Sequence, residues 1–192
     1  MSVRVTGPTP KCCNPGGCLN KPPFQWTQEL VGTGASISVG GKTVYLASAA
    51  GGAPLIHDAN ADVAVTKDFC MEFNLKRDSG TTDIAVGLAQ LSSTFSILQF
   101  LYIDQSTGVF ALKWNAGGST STFPTSLGAN NSLNKFKICR QGSKVRVFIN
   151  GTRVLELAVD NNYPSGLLNP FMLVNLGGVS TAEISEFCVK YV

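Results

Sequence analysis

FKICRQGSKVRVFINGTRVLELAV, residues 136–159, decides the fold. It divides into KFKICR (135–140), KVRVFIN (144–150) and TRVLELAV (152–159), three strand-like runs joined by two tight turns. Its second turn is Asn150-Gly151, a dipeptide that tolerates positive φ at both positions and so suits a two-residue hairpin. An antiparallel meander is the natural reading.

The flanking sequence extends that pattern in both directions. SISVGGKTVYL (36–46) reads as a hairpin bent at Gly40-Gly41. In DFCMEFNLKR (68–77), Phe69, Met71, Phe73 and Leu75 alternate with Cys70, Glu72, Asn74 and Lys76, the period of a strand with one apolar face. TDIAVGLAQ (82–90) is a further strand. ILQFLYID (97–104) and VFALKWN (109–115) form a hairpin over Gln105–Gly108. FMLVNLGG (171–178) and AEISEFCVKYV (182–192) close the chain. ASAAGGAPLIHDANADVAV (47–65) reads as a looser stretch, and AGGSTSTFPTS (116–126) as a loop. No segment sustains a helical period. Frequent strands with 20 Gly and 9 Pro between them point to a β-sandwich. Residues 1–24, rich in Pro and Cys, resist helix and central strand alike and read as an extended N-terminal arm. Residues 25–192 form a single β-sandwich domain.

Hydrophobic residues make up 44% of the chain, which excludes a disordered protein. Charged residues are only 14%, against about 25% in ordinary soluble domains. Such a surface suits an extracellular protein or one covered inside an assembly. The net charge of +3, from scattered basic residues, does not suggest nucleic acid. No apolar run approaches the roughly 18 residues of a membrane span. The first 20 residues lack the apolar core of a secretion signal. The expectation is a chain made in a cytoplasm that stays there or leaves by assembly or lysis, with a virion or extracellular surface as its place after assembly.

The meander, followed by FMLVNLGG, resembles the laminin-G-like and concanavalin A-like lectin/glucanase sandwiches. A last strand like AEISEFCVKYV returns beside an early one like DFCMEFNLKR, as it does in that superfamily. The resemblance covers roughly residues 35–192 and lies in strand order and turns. It implies an all-β, two-sheet antiparallel jelly-roll sandwich. It implies no single function, because the architecture hosts lectins, glycosidases, adhesion domains and viral proteins.

Glycosidases of this fold need two carboxylates facing each other across the sugar, about 5–5.5 Å apart for retention. No strand carries acids at i and i+2 or i+4. Glu183 and Glu186, three apart, should point to opposite faces. Asp58 and Asp62 are four apart beside His57, but in a loop segment where Asx turns are the plainer role. No nucleophile elbow or phosphate loop is present. The expectation is therefore a protein that is not an enzyme.

Sugar binding calls for an exposed aromatic platform with polar neighbours. Trp114, Asn115, Trp26 and Tyr163 are the candidates, with Trp114 leading into the loop 115–126. The competing role is structural, with Trp114 capping the core and Trp26 anchoring the arm. Laminin-G-like and lectin relatives often bind Ca²⁺, and Asp58, Asp62 and Asp160 offer weak carboxylate ligands for it. No other cofactor is implied. Asn130-Asn131-Ser132 and Asn150-Gly151-Thr152 match the glycosylation sequon but read as turns.

The six cysteines fall into two sets. Cys12, Cys13 and Cys18 lie in the arm, in KCCNPGGC, a poor match to zinc spacing. Cys70, Cys139 and Cys188 lie in strands, out of phase with the bulky apolar residues, and so face away from the core. The resemblance implies that Cys70 and Cys188 approach each other; the pairing stays open. Reduced thiols are the default in a reducing cytosol; disulfides between the arm and the outer sheet face would staple the arm to its own sheet or fasten it to another subunit. The first expectation is thus a structural or adhesive module of a larger assembly, a virion decoration, cement or fibre-type protein, with a homo-oligomer as partner. The alternative is a carbohydrate-binding lectin-like domain, and the third reading a glycosidase.

Overall fold

The computed structural model describes residues 3–6, 25–40, 43–80, 83–93, 96–105, 108–128, 131–174 and 178–192. Cys12, Cys13, Cys18 and most of the N-terminal arm lie outside these residues.

Two antiparallel sheets face each other. The first carries, in spatial order, β1 (Val3–Thr6), β2 (Gln25–Thr33), β5 (Gly51–His57), β15 (Leu167–Val174), β8 (Ile84–Ser93), β9 (Ser96–Gln105), β10 (Val109–Asn115) and β11 (Ser121–Gly128). The two-residue β6 (Val63–Ala64) pairs with β15 and makes this a nine-stranded sheet. The second has seven strands, ordered β14 (Thr152–Ala158), β13 (Lys144–Ile149), β12 (Asn134–Gln141), β7 (Phe69–Gly80), β16 (Ser180–Tyr191), β4 (Thr43–Ser48) and β3 (Ser36–Gly40). Among the described residues no helix is long and apolar enough to cross a membrane.

The deciding meander is β12-β13-β14. Asn150 and Gly151 take φ of 52° and 84°, both in the left-handed region the turn requires. Asn150 adds two side-chain bonds: its Oδ1 accepts the Lys135 amide at 2.9 Å and its Nδ2 donates to Asn134 Oδ1 at 3.0 Å. Strand alternation then sorts the residues. Phe69, Met71, Phe73 and Leu75 of β7 enter the inter-sheet core with Phe136, Ile138, Val145 and Val147. The final strand does return beside the early one, since β16 pairs β7 from Ser180↔Gly80 to Tyr191↔Phe69.

Three local expectations are corrected. The stretch read as loose contains β5, inserted between β2 and β15. Ala53, Leu55 and Ile56 there are buried on both faces of the sheet, so the segment lacks the alternation that marks a half-exposed strand. Ser121–Gly128, read as part of a loop, is the edge strand β11. Pro124 is tolerated there because an edge leaves one row of amides unpaired by the sheet. Finally, Glu183 and Glu186 do not face opposite ways. Glu186 has a φ of 54° and sits in a bulge between Ser185 and Cys188. The extra residue restores phase, so Ile184 and Phe187 both point inward while Glu186 is turned out to bond Asn74 Nδ2 at 3.2 Å.

Candidate functional site: the outer face of the nine-stranded sheet

The aromatic candidates named from the sequence are placed in the core. Trp114 is fully buried. Its ring meets Phe123 at 4.4 Å and Tyr163 at 5.3 Å, centroid to centroid, at one end of the sandwich. Its Nε1 donates to Asp160 Oδ1 at 2.8 Å. Ser121 Oγ donates to the other Asp160 oxygen at 2.9 Å, and the Asn162 amide to Oδ1 at 2.9 Å. Partial burial pushes the Asp160 carboxyl up, but these bonds outweigh it and hold it below the usual range. Asp160 therefore spends its oxygens on fixing Trp114 and the 160–163 turn. Tyr163 is buried too, its hydroxyl donating to Val65 O at 3.2 Å. Trp26 packs edge-on against Phe187 at 6.3 Å. Asn115 organises its own loop, with Nδ2 on Gly118 O at 2.6 Å and Oδ1 accepting the Gly117 amide. None of the four presents an open ring or amide.

The weak calcium candidates do not converge. Asp58 is buried and forms an Asx turn, its Oδ1 accepting the Asn60 amide at 2.9 Å. Asp62 accepts from Asn169 Nδ2 at 3.0 Å, and Asp160 is occupied as above. Among the described residues no three His, Cys, Asp or Glu side chains gather as a metal would require.

The strand cysteines lie on the outer face of the seven-stranded sheet, as their phase suggests. Cys70 and Cys139 sit directly opposite on β7 and β12 and form a disulfide. Cys188 is half-buried on the same face, beside Glu72 and diagonal to Cys70, so the approach implied by the resemblance occurs while the bond goes to Cys139.

The unexpected feature is on the other sheet. Its outer face carries a second, smaller apolar cluster of Leu55, Ala85, Ala89 and Phe171, with Phe100 and Tyr102 packed against it. One row crosses the sheet in register: Thr27, His57, Phe171, Gly87, Tyr102, Lys113 and Thr122. Gly87 is the centre of that row. A Cβ there would meet Tyr102 Cα at 2.6 Å and Leu101 O at 2.4 Å, so no larger residue fits. Across the gap Tyr102 meets Phe171 at 5.7 Å, edge to face, and Phe100 stands 4.6 Å from Tyr102. Phe100 and Tyr102 are only half-buried, which leaves ring surface toward solvent.

Polar groups flank this strip on both sides. On β2 and β5, Glu29 Oε1 lies 3.2 Å from His57 Nε2. On β9 and β10, Asp104 Oδ2 accepts from Lys113 Nζ. The remaining oxygens, Glu29 Oε2 and Asp104 Oδ1, are buried and have no hydrogen-bond partner among the described residues. Burial pushes the Asp104 carboxyl up; the Lys113 bond and charge oppose this, and Asp83 adds to it. The Tyr102 hydroxyl is pushed up by burial and then by Asp104 and Asp83. The face is therefore an aromatic strip between two polar pairs, of which Glu29 and Lys113 keep part of their side chains exposed. Sequence reading passes over it because in ILQFLYID the outward Phe100 and Tyr102 are as apolar as the inward Leu101 and Ile103, so its alternation is masked.

No family model matches the chain, and no curated protein is similar to it. Solved structures are. A native glycosidic hydrolase superposes with a TM-score of 0.65 at 11% identity over 91% of this chain and 94% of its own. A sialidase gives 0.62 at 10% identity over 86% of this chain. The binding domain of botulinum neurotoxin DC, in complex with rat synaptotagmin II, gives 0.61 at 11% identity over 87% of this chain. The chain spans 17% of the sialidase's length and 43% of the toxin chain's. At these identities the likeness is one of fold alone, and that fold is the concanavalin A-like jelly-roll sandwich.

Proposed function

We propose that the protein is a non-catalytic carbohydrate-binding domain whose sugar-binding surface is the outer face of the nine-stranded sheet. The observation that carries this reading is the half-buried Phe100–Tyr102 pair flanked by the Glu29–His57 and Lys113–Asp104 pairs. Sugars present an apolar ring face that stacks on aromatics and hydroxyls that donate. Glu29 can accept from such a hydroxyl and Lys113 can donate to one, because both side chains stay part-exposed. Two of the similar structures are named for glycosides or sialic acid, which agrees with the chemistry without deciding it. Glu29 on β2 and Asp104 on β9 stand four strand spacings apart, about 19 Å, beyond the separation of either glycosidase mechanism. That distance favours binding over hydrolysis.

A glycan array with Tyr102→Ala and Phe100→Ala variants tests this. Binding that falls about tenfold, or about 1.4 kcal/mol, in folded variants is the expected result. No glycan bound would overturn the reading. Polysaccharide turnover lost in Asp104→Asn would make the protein an enzyme.

One feature favours the assembly reading as a second role. β3 is the outer edge of its sheet, and SISVG carries no charge, proline or bulge to guard it. Ser36 and Ser38 are exposed along it. Unprotected edges pair with other chains. A second copy adding its β3 would extend the sheet, and a Ser36→Lys/Ser38→Lys variant should then sediment as a monomer where the parent forms dimers. A parent that is monomeric at high concentration removes this role. The Cys70–Cys139 bond fits oxidising surroundings, as on an extracellular surface or a released particle.

A further inference from the structure

The outer face of the seven-stranded sheet differs in character from the other. It is charged, and it holds a cavity of about 370 Å³ lined by Lys135, Lys137, Phe148 and Gly151. We propose that this cavity is a second binding site, specific for a carboxylate-bearing pyranose such as a sialic or uronic acid. The proposal takes its ligand class from the saccharide-binding reading above, but the site is a separate one on the opposite sheet.

The argument starts from register. Glu72, Lys137, Phe148 and Arg153 form one row across β7, β12, β13 and β14. Two of these cations are already committed. Lys137 Nζ lies 3.1 Å from Glu72, and Arg153 Nη1 lies 2.9 Å from Glu156. Partial burial pushes the Glu72 carboxyl up, but hydrogen bonding and charge from Lys137, with Lys190 and Lys135 behind, hold it low, so Glu72 stays an anion beside the cavity. Lys135 is different. It is exposed and makes no ion pair among the described residues. Its ammonium is the spare cation of the cavity, with Lys137 as a second positive neighbour.

Phe148 supplies the rest. It is half-buried and points outward between Lys137 and Arg153, in a row otherwise made of charged side chains. An anion alone has no use for an aromatic floor; a pyranose with one carboxylate has a use for both. Gly151 closes the cavity at a left-handed turn, and a Cβ there would meet nothing within 4 Å, so the mouth stays open beyond it. The volume falls within the range of small-ligand sites, about 300–1,000 Å³. The exposed Lys135 ammonium makes the recognition salt-sensitive.

The test is a ligand-observed NMR titration with N-acetylneuraminic acid and glucuronic acid, and with galactose and glucose as neutral counterparts. It is run on the parent, Lys135→Ala/Lys137→Ala, Phe148→Ala and Tyr102→Ala. The acids should bind the parent, the neutral sugars should not bind at this cavity, and acid binding should fall at least tenfold in the lysine pair and in Phe148→Ala. Half-molar salt should weaken it similarly. Inorganic sulfate that competes fully and ignores Phe148→Ala would reduce the site to a bare anion patch and overturn the proposal. Acid binding lost in Tyr102→Ala but kept in the lysine pair would overturn this site while leaving the general sugar reading intact. No binding of any sugar, acid or neutral, to either face would overturn both.

Discussion

Asp160 shows how a residue's chemistry can be right and its role different. An aspartate in a turn near a tryptophan suggests a ligand site, and its carboxylate does accept several donors. The donors belong to the protein: Trp114, Ser121 and the Asn162 amide. Asp160→Ala leaves the buried Trp114 indole without an acceptor and should cost about 2 kcal/mol, since an orphaned buried donor costs about 1–3 kcal/mol. The carboxyl is depressed in the fold, so its contribution is present above the unfolded carboxylate value of about 4. It drains away as pH falls through the lower folded value. Urea denaturation of parent and variant at pH 7 and in acid should show the gap narrowing toward low pH. A gap that stays constant would mean that Trp114 is held by packing alone. The tryptophan itself was legible as a core cap or a platform; sequence cannot choose, because both demand a large ring near a strand end.

At the scale of the element, the strands that announced themselves were those with one apolar face. DFCMEFNLKR and the β12-β13 hairpin alternate cleanly and are where the pattern places them, while β14 joins them through a register shift at Val147/Phe148. β5 is buried on both sides, so period two disappears, and β11 is a short polar edge with a proline, so it resembles a loop. The Glu186 bulge is also invisible in sequence, because one added residue changes the phase without changing the composition. It carries its own prediction. Between Ser185 and Cys188, β16 uses three steps where β7 uses two. Deleting Glu186 should therefore leave Phe187 and Val189 in the core, and the variant should keep its cooperative unfolding with little net change in stability, because the left-handed backbone that costs about 1–2 kcal/mol goes together with the hydrogen bond to Asn74, worth about 1 kcal/mol. Collapse of the fold on deletion would mean that the bulge sets the sheet's twist rather than interrupting it. Glu186→Gly, which keeps the length, provides the control.

For the whole molecule, the sequence carried the architecture better than the site. A sandwich with a shared core follows from alternation and turns, and the return of the last strand beside β7 from the resemblance to the concanavalin A-like sandwiches. The aromatic face and the lysine cavity do not, because each gathers residues from strands far apart in sequence but adjacent in space. The six strands from Thr27 to Lys113 that build the first face come together only through strand order. The two outer faces end with opposite characters, one aromatic and apolar, the other charged. What joins the seven-stranded sheet covalently is the Cys70–Cys139 bond between neighbouring strands. By closing a segment of 69 residues it should raise the unfolding free energy by about 4 kcal/mol through the unfolded chain's lost entropy. Thermal or urea unfolding of a Cys70→Ser/Cys139→Ser variant checks this.

The same bond has a mechanical meaning. If the chain is stretched by its two ends, the residues between Cys70 and Cys139 carry no load, since the tension passes through the sulfurs. The oxidised protein can lose every strand pairing and still keep that loop folded back on itself. Reduction sets it free and adds about 240 Å to the reach of the chain, at roughly 3.5 Å for each of 69 residues. A protein that tethers two bodies through its termini would thus have two maximum lengths, selected by the redox state of its surroundings.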